Sequence, residues 1–171
     1  METFEVKRGV VKKVTADGGL PELAARHFSQ VEATGENAFE GSHAIMSAIK
    51  GEYSPLGKLV VDVTNEVPNF DDPDAMAEAM EARKRWSAFL DEATGYNAKQ
   101  RGDKAKEWAK KKAKAQGAIK QARHFMGMTG PKPEVVEAAE KLIAEIEALL
   151  EQGENSKAES RGAKLGKMLE E

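Results

Sequence analysis

Residues 58–73, KLVVDVTNEVPNFDDP, decide how the chain is read. In the first half Leu59, Val61 and Val63 alternate with Val60 and Asp62. That is the period of two of a β-strand, and β-branched residues suit a pleated surface. After Asn69 the period changes. Asp72 is a good helix N-cap, and Pro73 fits the first helical position. Met76, Ala79, Met80, Trp86, Leu90 and Ala93 then recur at helical spacing as far as Gly95, which is suited to end a helix in the left-handed conformation. Strands therefore precede this stretch and helices follow it.

Upstream, TFEVKRGVVKKV (residues 3–14) predicts a first strand, with Phe4 and Val6 alternating with Glu5 and Lys7, a bend at Gly9, and Val10 to Val14 continuing it. Asp17-Gly18-Gly19 is a turn signal. Leu20, Leu23, Ala24, Phe28 and Val31 predict a helix over residues 20–32. NAFEG is a short strand. In SHAIMSAIKGEY, Ile45, Ser47 and Ile49 share one strand face, with Ala44, Met46 and Ala48 on the other. The expected order is β-α-β-β-β, a small antiparallel sheet of three or four strands under one covering helix.

Downstream, Asn97 and Gln100 have the spacing of a capping box. The helix they open, residues 98–124, has a narrow apolar stripe of Ala105, Trp108, Ala115, Ile119, Ala122 and Met126. GMTGPKP breaks it. The next helix, residues 134–152, carries Val135, Ala139, Leu142, Ile146 and Leu149 at alternating spacings of four and three. Such a seam needs a partner, most simply the basic helix folding back antiparallel. The chain thus reads as α+β: an α+β domain over 1–70, a helical segment over 71–152 ending in an antiparallel hairpin, and a flexible polar tail over 153–171. In that tail Leu165, Met168 and Leu169 supply one docking turn.

The motifs KLVVDV, FLDEATGY and NAKQR, with the early FEVKRG, resemble a small uncharacterised archaeal family of unknown function. The likeness covers residues 3–114, and the later helix and tail read as an extension. It implies an α+β domain and assigns no chemistry.

The net charge of −3 conceals a division. Residues 98–125 hold ten bases (Lys99, Arg101, Lys104, Lys106, Lys110, Lys111, Lys112, Lys114, Lys120 and Arg123) against Asp103 and Glu107, so this segment carries +8 and the remainder −11. Phosphate contact needs such charge without exact spacing, and a surface richer in lysine than in aromatics favours the nucleic-acid backbone over the bases. The leading expectation is a non-catalytic binding protein that turns this helix on RNA, or on a ribonucleoprotein such as the ribosome. Two bland readings stand beside it. Either the lysines are merely solvated, or the glutamates 134, 137, 140, 145, 147 and 151 of the next helix neutralise them. The alternatives in other classes are a protein–protein adaptor docking through the seam of residues 135–150, and a small-ligand domain with its site between sheet and helix.

Thr94-Gly95-Tyr96 is read either as a helix corner or as an anion site helped by Lys99 and Arg101. Asp71, Asp72 and Asp74 suit capping better than a metal. His27, His43 and His124 lie in separate elements, and His27 reads as a core histidine. There is no cysteine, so disulfides and thiolate chemistry are excluded. No catalytic motif is found, so the sequence makes no positive case for an enzyme and leaves that question open, and no metal or cofactor is expected. No apolar run is long enough for a membrane span and the N-terminus lacks a signal-peptide pattern, so the chain is expected to be cytoplasmic, as a monomer or weak dimer.

Overall fold

The computed structural model describes residues 1–170 and divides into two compact units, 1–104 and 105–171. The fold is α+β.

In the first unit the chain runs β1 (Glu2–Phe4), α1 (Val10–Ala16), α2 (Gly19–His27), β2 (Gln30–Gly35), β3 (Ala38–His43), β4 (Met46–Tyr53), β5 (Leu59–Asn65) and α3 (Pro73–Thr94). The sheet is antiparallel, in the order β1-β5-β4-β3-β2. Register puts Phe39, Gly51, Val61 and Glu2 on one face. Phe39, Ile49, Leu59 and Val61 of the inner face are buried with Leu20 and Leu23 of α2 and with Phe89 and Leu90 of α3. Glu40, Lys50 and Asp62 share the other face, in the solvent.

The elements around residues 58–73 form as their pattern requires. Leu59, Val61 and Val63 point inward while Val60 and Asp62 do not. Asp72 accepts the Asp74 amide at 2.9 Å, Pro73 opens α3, and Gly95 closes it at φ 76°. A β-carbon on Gly95 would also stand 2.7 Å from Val10 Cγ2, so both the turn and the packing require glycine there. Phe89, which the apolar stripe omits, is the fully buried centre of α3, whereas Met80 on that stripe is exposed.

Three local expectations are corrected. Residues 10–14 are helix, because the four-residue spacing of Val10 and Val14 satisfies a strand and a helix equally, and Gly9 at φ 90° starts the helix. The helix expected to run to residue 32 ends at His27. Phe28 is extended, and residues 30–35 become an edge strand held by β3, a non-local pairing that helical periodicity does not register. In β4 a register shift between Met46 and Ala48 turns Met46 and Ile49 to the same buried side. The sheet accordingly has five strands and the unit two helices before β2. The expected boundary at residue 70 is not where the units divide, since α3 fills the core of the first.

The second unit is a three-helix bundle: α4 (Ala98–Thr129) from residue 105 onward, α5 (Pro133–Glu151) and α6 (Asn155–Glu170). α4 runs past the expected end at residue 124 through Gly127, and stops where Gly130 adopts φ 53° ahead of Pro131. The expected tail is a helix. Ala158, Gly162, Leu165 and Leu169 are buried at helical spacing, and the first two are too small to register as an apolar stripe. Gly162 lets α4 come close, for a β-carbon there would lie 2.9 Å from that of Ala118. α4 is antiparallel to α5, with Arg123 beside Glu147. It is parallel to α6, with Trp108 near Asn155 and Lys114 near Glu159.

Candidate nucleic-acid interface

α4 begins in the expected capping box: the Gln100 amide donates to Asn97 Oδ1 at 2.9 Å, and the Asn97 amide to Gln100 Oε1 at 3.0 Å. The corner before it is scaffold. Thr94 is buried, and its hydroxyl donates to the Leu90 carbonyl at 2.6 Å and accepts the Tyr96 amide at 3.2 Å. Arg101 belongs to this corner rather than to a basic face. It is 7 % exposed, and its guanidinium is bonded to the Asp91 carboxylate and the Tyr96 carbonyl. The Lys104 ammonium stands 5.6 Å from the centre of the Tyr96 ring, a cation–π distance. Lys99 is exposed on the same unit.

In the bundle, the buried stripe of α4 is Ala115, Ile119 and Ala122, with Trp108 and Met126 half-buried. The Trp108 indole donates to the Gly153 carbonyl at 3.3 Å, and the Asn155 amide donates to the Trp108 carbonyl at 3.2 Å, fixing the start of α6 against α4. This orientation sends Lys106, Lys110, Lys112, Lys114 and Lys120 into solvent. Lys111 lies nearer the bundle, bonded to Ser156 Oγ at 3.0 Å and 3.5 Å from Glu107.

The glutamates of α5 do not blanket these charges. Glu147 meets Arg123 at 3.2 Å, Glu137 pairs with Lys141 along its own helix, and Glu145 turns to Arg161 of α6. Lys114 reaches Glu159 of α6 at 3.2 Å. Lys99, Lys106, Lys110, Lys112 and Lys120 have no ion-pair partner among the described residues. The α5 seam is spent inside the bundle, where Ala139, Leu142, Ile143 and Ile146 are buried and Val135, Leu149 and Leu150 partly so.

Elsewhere the fold brings together two residues far apart in sequence. The rings of His27 and His43 both lie against Phe28, with centroids 6.4 and 6.3 Å away, while His124 is in the other unit. His43 Nδ1 accepts the Ser29 amide at 3.1 Å, and His27 Nε2 lies 3.5 Å from Glu92. Among the described residues no group of acids and histidines could hold a metal ion, and no helix is long and apolar enough to cross a membrane.

The class of protein is thus an α+β domain, a five-stranded sheet covered by helices on one face, continued into a bundle that displays lysines. Residues 1–107 match the family model described as a domain of unknown function (DUF5611), and the chain belongs to that family. The matched span ends within a turn of the division between the two units, so nearly all of the bundle lies beyond it. No curated protein and no solved structure matches the chain.

Proposed function

We propose that the protein binds RNA through the solvent face of α4, with Lys106, Lys110, Lys112 and Lys120 contacting the phosphate backbone irrespective of sequence. A ribonucleoprotein in the cytoplasm is the natural setting for such a contact. The observation that carries this reading is that these four ammonium groups are exposed and, among the described residues, free of ion pairs, although a glutamate-rich helix lies beside them. Lysine side chains kept apart from acids retain the counterion-release term that drives backbone binding. The other elements of the charge segment play lesser parts: Arg101 is internal, Lys111 is turned toward the bundle, and Lys114 and Arg123 are shared with glutamates.

The test is fluorescence anisotropy of labelled single-stranded RNA of mixed sequence, titrated at several salt concentrations. Four phosphate contacts give a log–log salt slope of about −3 for a single strand. Changing Lys106, Lys110, Lys112 and Lys120 to Glu should abolish binding with the circular dichroism spectrum intact. Salt-independent binding, or binding that survives the four changes, refutes the reading.

A further inference from the structure

Four of the chain's exposed large apolar side chains gather at one groove of the first unit. Met1, Val67, Phe70 and Met80 are 90, 83, 72 and 60 % exposed, and all four line a groove of about 600 Å³ between the end of β5 and the first half of α3. Its floor includes Met46, Val61, Val63, Ala82 and Trp86. Single exposed apolar residues are ordinary, whereas a contiguous set over an apolar floor marks a surface that something covers. Met1, Met46, Met76 and Met80 make the lining adaptable, since unbranched thioether side chains re-pack around varied shapes.

The charge around the groove states what kind of partner fits. Residues 59–82, which supply most of the lining, contain seven acids and neither lysine nor arginine. Glu2, on the inner face through its register with Val61, and Glu66 line the groove, with Arg83 as the basic side chain there. Asp62 lies on the sheet's other face, 3.8 Å from the Met1 amine.

We propose that this groove is the docking site for a basic amphipathic helix of a partner protein. An apolar trough of this kind accepts side chains at i, i+3 or i+4, and i+7 of such a helix. From Met76 to Trp86 the α3 wall rises about 15 Å, room for two to three turns. Lysines and arginines flanking the apolar face of the incoming helix meet Glu2 and Glu66 on the lining. The chain's own basic helix from a second copy does not qualify, because its apolar stripe of Ala115, Ile119 and Ala122 is buried in its own bundle. This site is independent of the lysine face and of the RNA reading.

The test uses the full chain and a labelled 14-residue Leu/Lys helical peptide as probe, with a Leu/Glu counterpart of the same apolar pattern. The Leu/Lys peptide should bind and raise or blue-shift Trp86 emission, and the Leu/Glu peptide should not. Phe70→Ser with Met80→Ser, both at exposed positions, should weaken binding about tenfold or more, as truncating two apolar anchors does. Glu2→Gln with Glu66→Gln should weaken it by about threefold or more, whereas the equally charge-reducing Glu40→Gln with Glu52→Gln, away from the groove, should leave it within about twofold. Should the serine pair fail to fold, the two glutamine pairs still decide. The proposal is overturned by absence of Leu/Lys binding, by equal affinity for the Leu/Glu peptide, by unchanged affinity of a folded serine pair, or by equal losses in the two glutamine pairs.

Discussion

Arg123 of α4 reaches Glu147 of α5 at 3.2 Å, and that contact marks both the register of the two helices and the limit of neutralisation along the basic helix. Both side chains are about half exposed. Such a pair contributes at most about 1 kcal/mol and is screened by salt. Its chief effect is to compete with an external anion for Arg123, as Glu159 competes for Lys114. The double variant Glu147→Gln, Glu159→Gln should therefore bind single-stranded RNA more tightly than the native chain, with a steeper salt slope, while losing less than about 2 kcal/mol of stability in urea. Unchanged affinity would mean that neither base lies in the contact.

Gly162 and Gly166 sit one turn apart on α6 and face different surroundings. A β-carbon at Gly166 meets nothing within 4 Å, while at Gly162 it would press on Ala118 at 2.9 Å. Alanine is favoured over glycine in a helix by about 1 kcal/mol, and that gain is common to both sites. Gly166→Ala should raise the urea midpoint. Gly162→Ala should forfeit the gain to crowding, and Gly162→Val should cost about 1–3 kcal/mol as an overpacked contact. Equal stabilisation by the two alanines would show that α4 and α6 do not approach closely at this point.

That pair of glycines also explains which parts of the fold the sequence discloses. Where one period holds alone, the elements are legible. β5 shows alternation, α3 has its cap, proline and terminal glycine, and α5 has its seam. Where a spacing of four serves both periods, as with Val10 and Val14, the choice falls to tertiary packing. Where a helix packs through Ala158 and Gly162, composition resembles a flexible tail, because close approach selects for small residues rather than apolar ones. The lysine face is legible as charge. Its exposure is not, because α5 presents its glutamates to solvent, to α4 and to α6, a division set by helix rotation. The groove at Phe70 is hidden for a related reason, since Met80 falls on the same helical stripe as the core yet is exposed at the groove.

His43 gives the first unit a pH-dependent stability. Its Nδ1 accepts the Ser29 amide, which only the neutral ring can do at that atom. Burial, and then the charge of Arg85, hold its pKa below the ordinary histidine value, with Glu81 opposing. The unfolded chain therefore takes up the proton first as pH falls. The stabilisation is complete above the ordinary range near 6.5 and declines as pH drops through and below it. The native chain should lose stability between pH 7.5 and 5, and His43→Asn, which retains an acceptor for Ser29, should lose less over the same interval. Parallel curves from urea titrations at each pH would assign the dependence to other groups.

Tyr53 works in the opposite direction. From the end of β4 its hydroxyl donates to the carbonyl of Ala93 at 2.6 Å, satisfying one of the last carbonyls of α3 and tying that helix end to the sheet. Burial raises its pKa above the ordinary tyrosine value, because the phenolate would be stranded in an apolar setting without its proton to donate. A group whose folded pKa is raised contributes stability that is whole below the unfolded value, near 10, and is lost as pH climbs beyond it. Tyr53→Phe should cost about 1–2 kcal/mol at neutral pH, for the bond lost and the carbonyl left unmatched. It should also flatten the alkaline limb of the stability curve. Absorbance at the phenolate band gives the second readout: the part of the signal that Tyr53→Phe removes should appear only as the protein unfolds. If that part appears reversibly in the folded state, the hydroxyl of Tyr53 is in solvent and its bond to Ala93 does not hold α3 to the sheet.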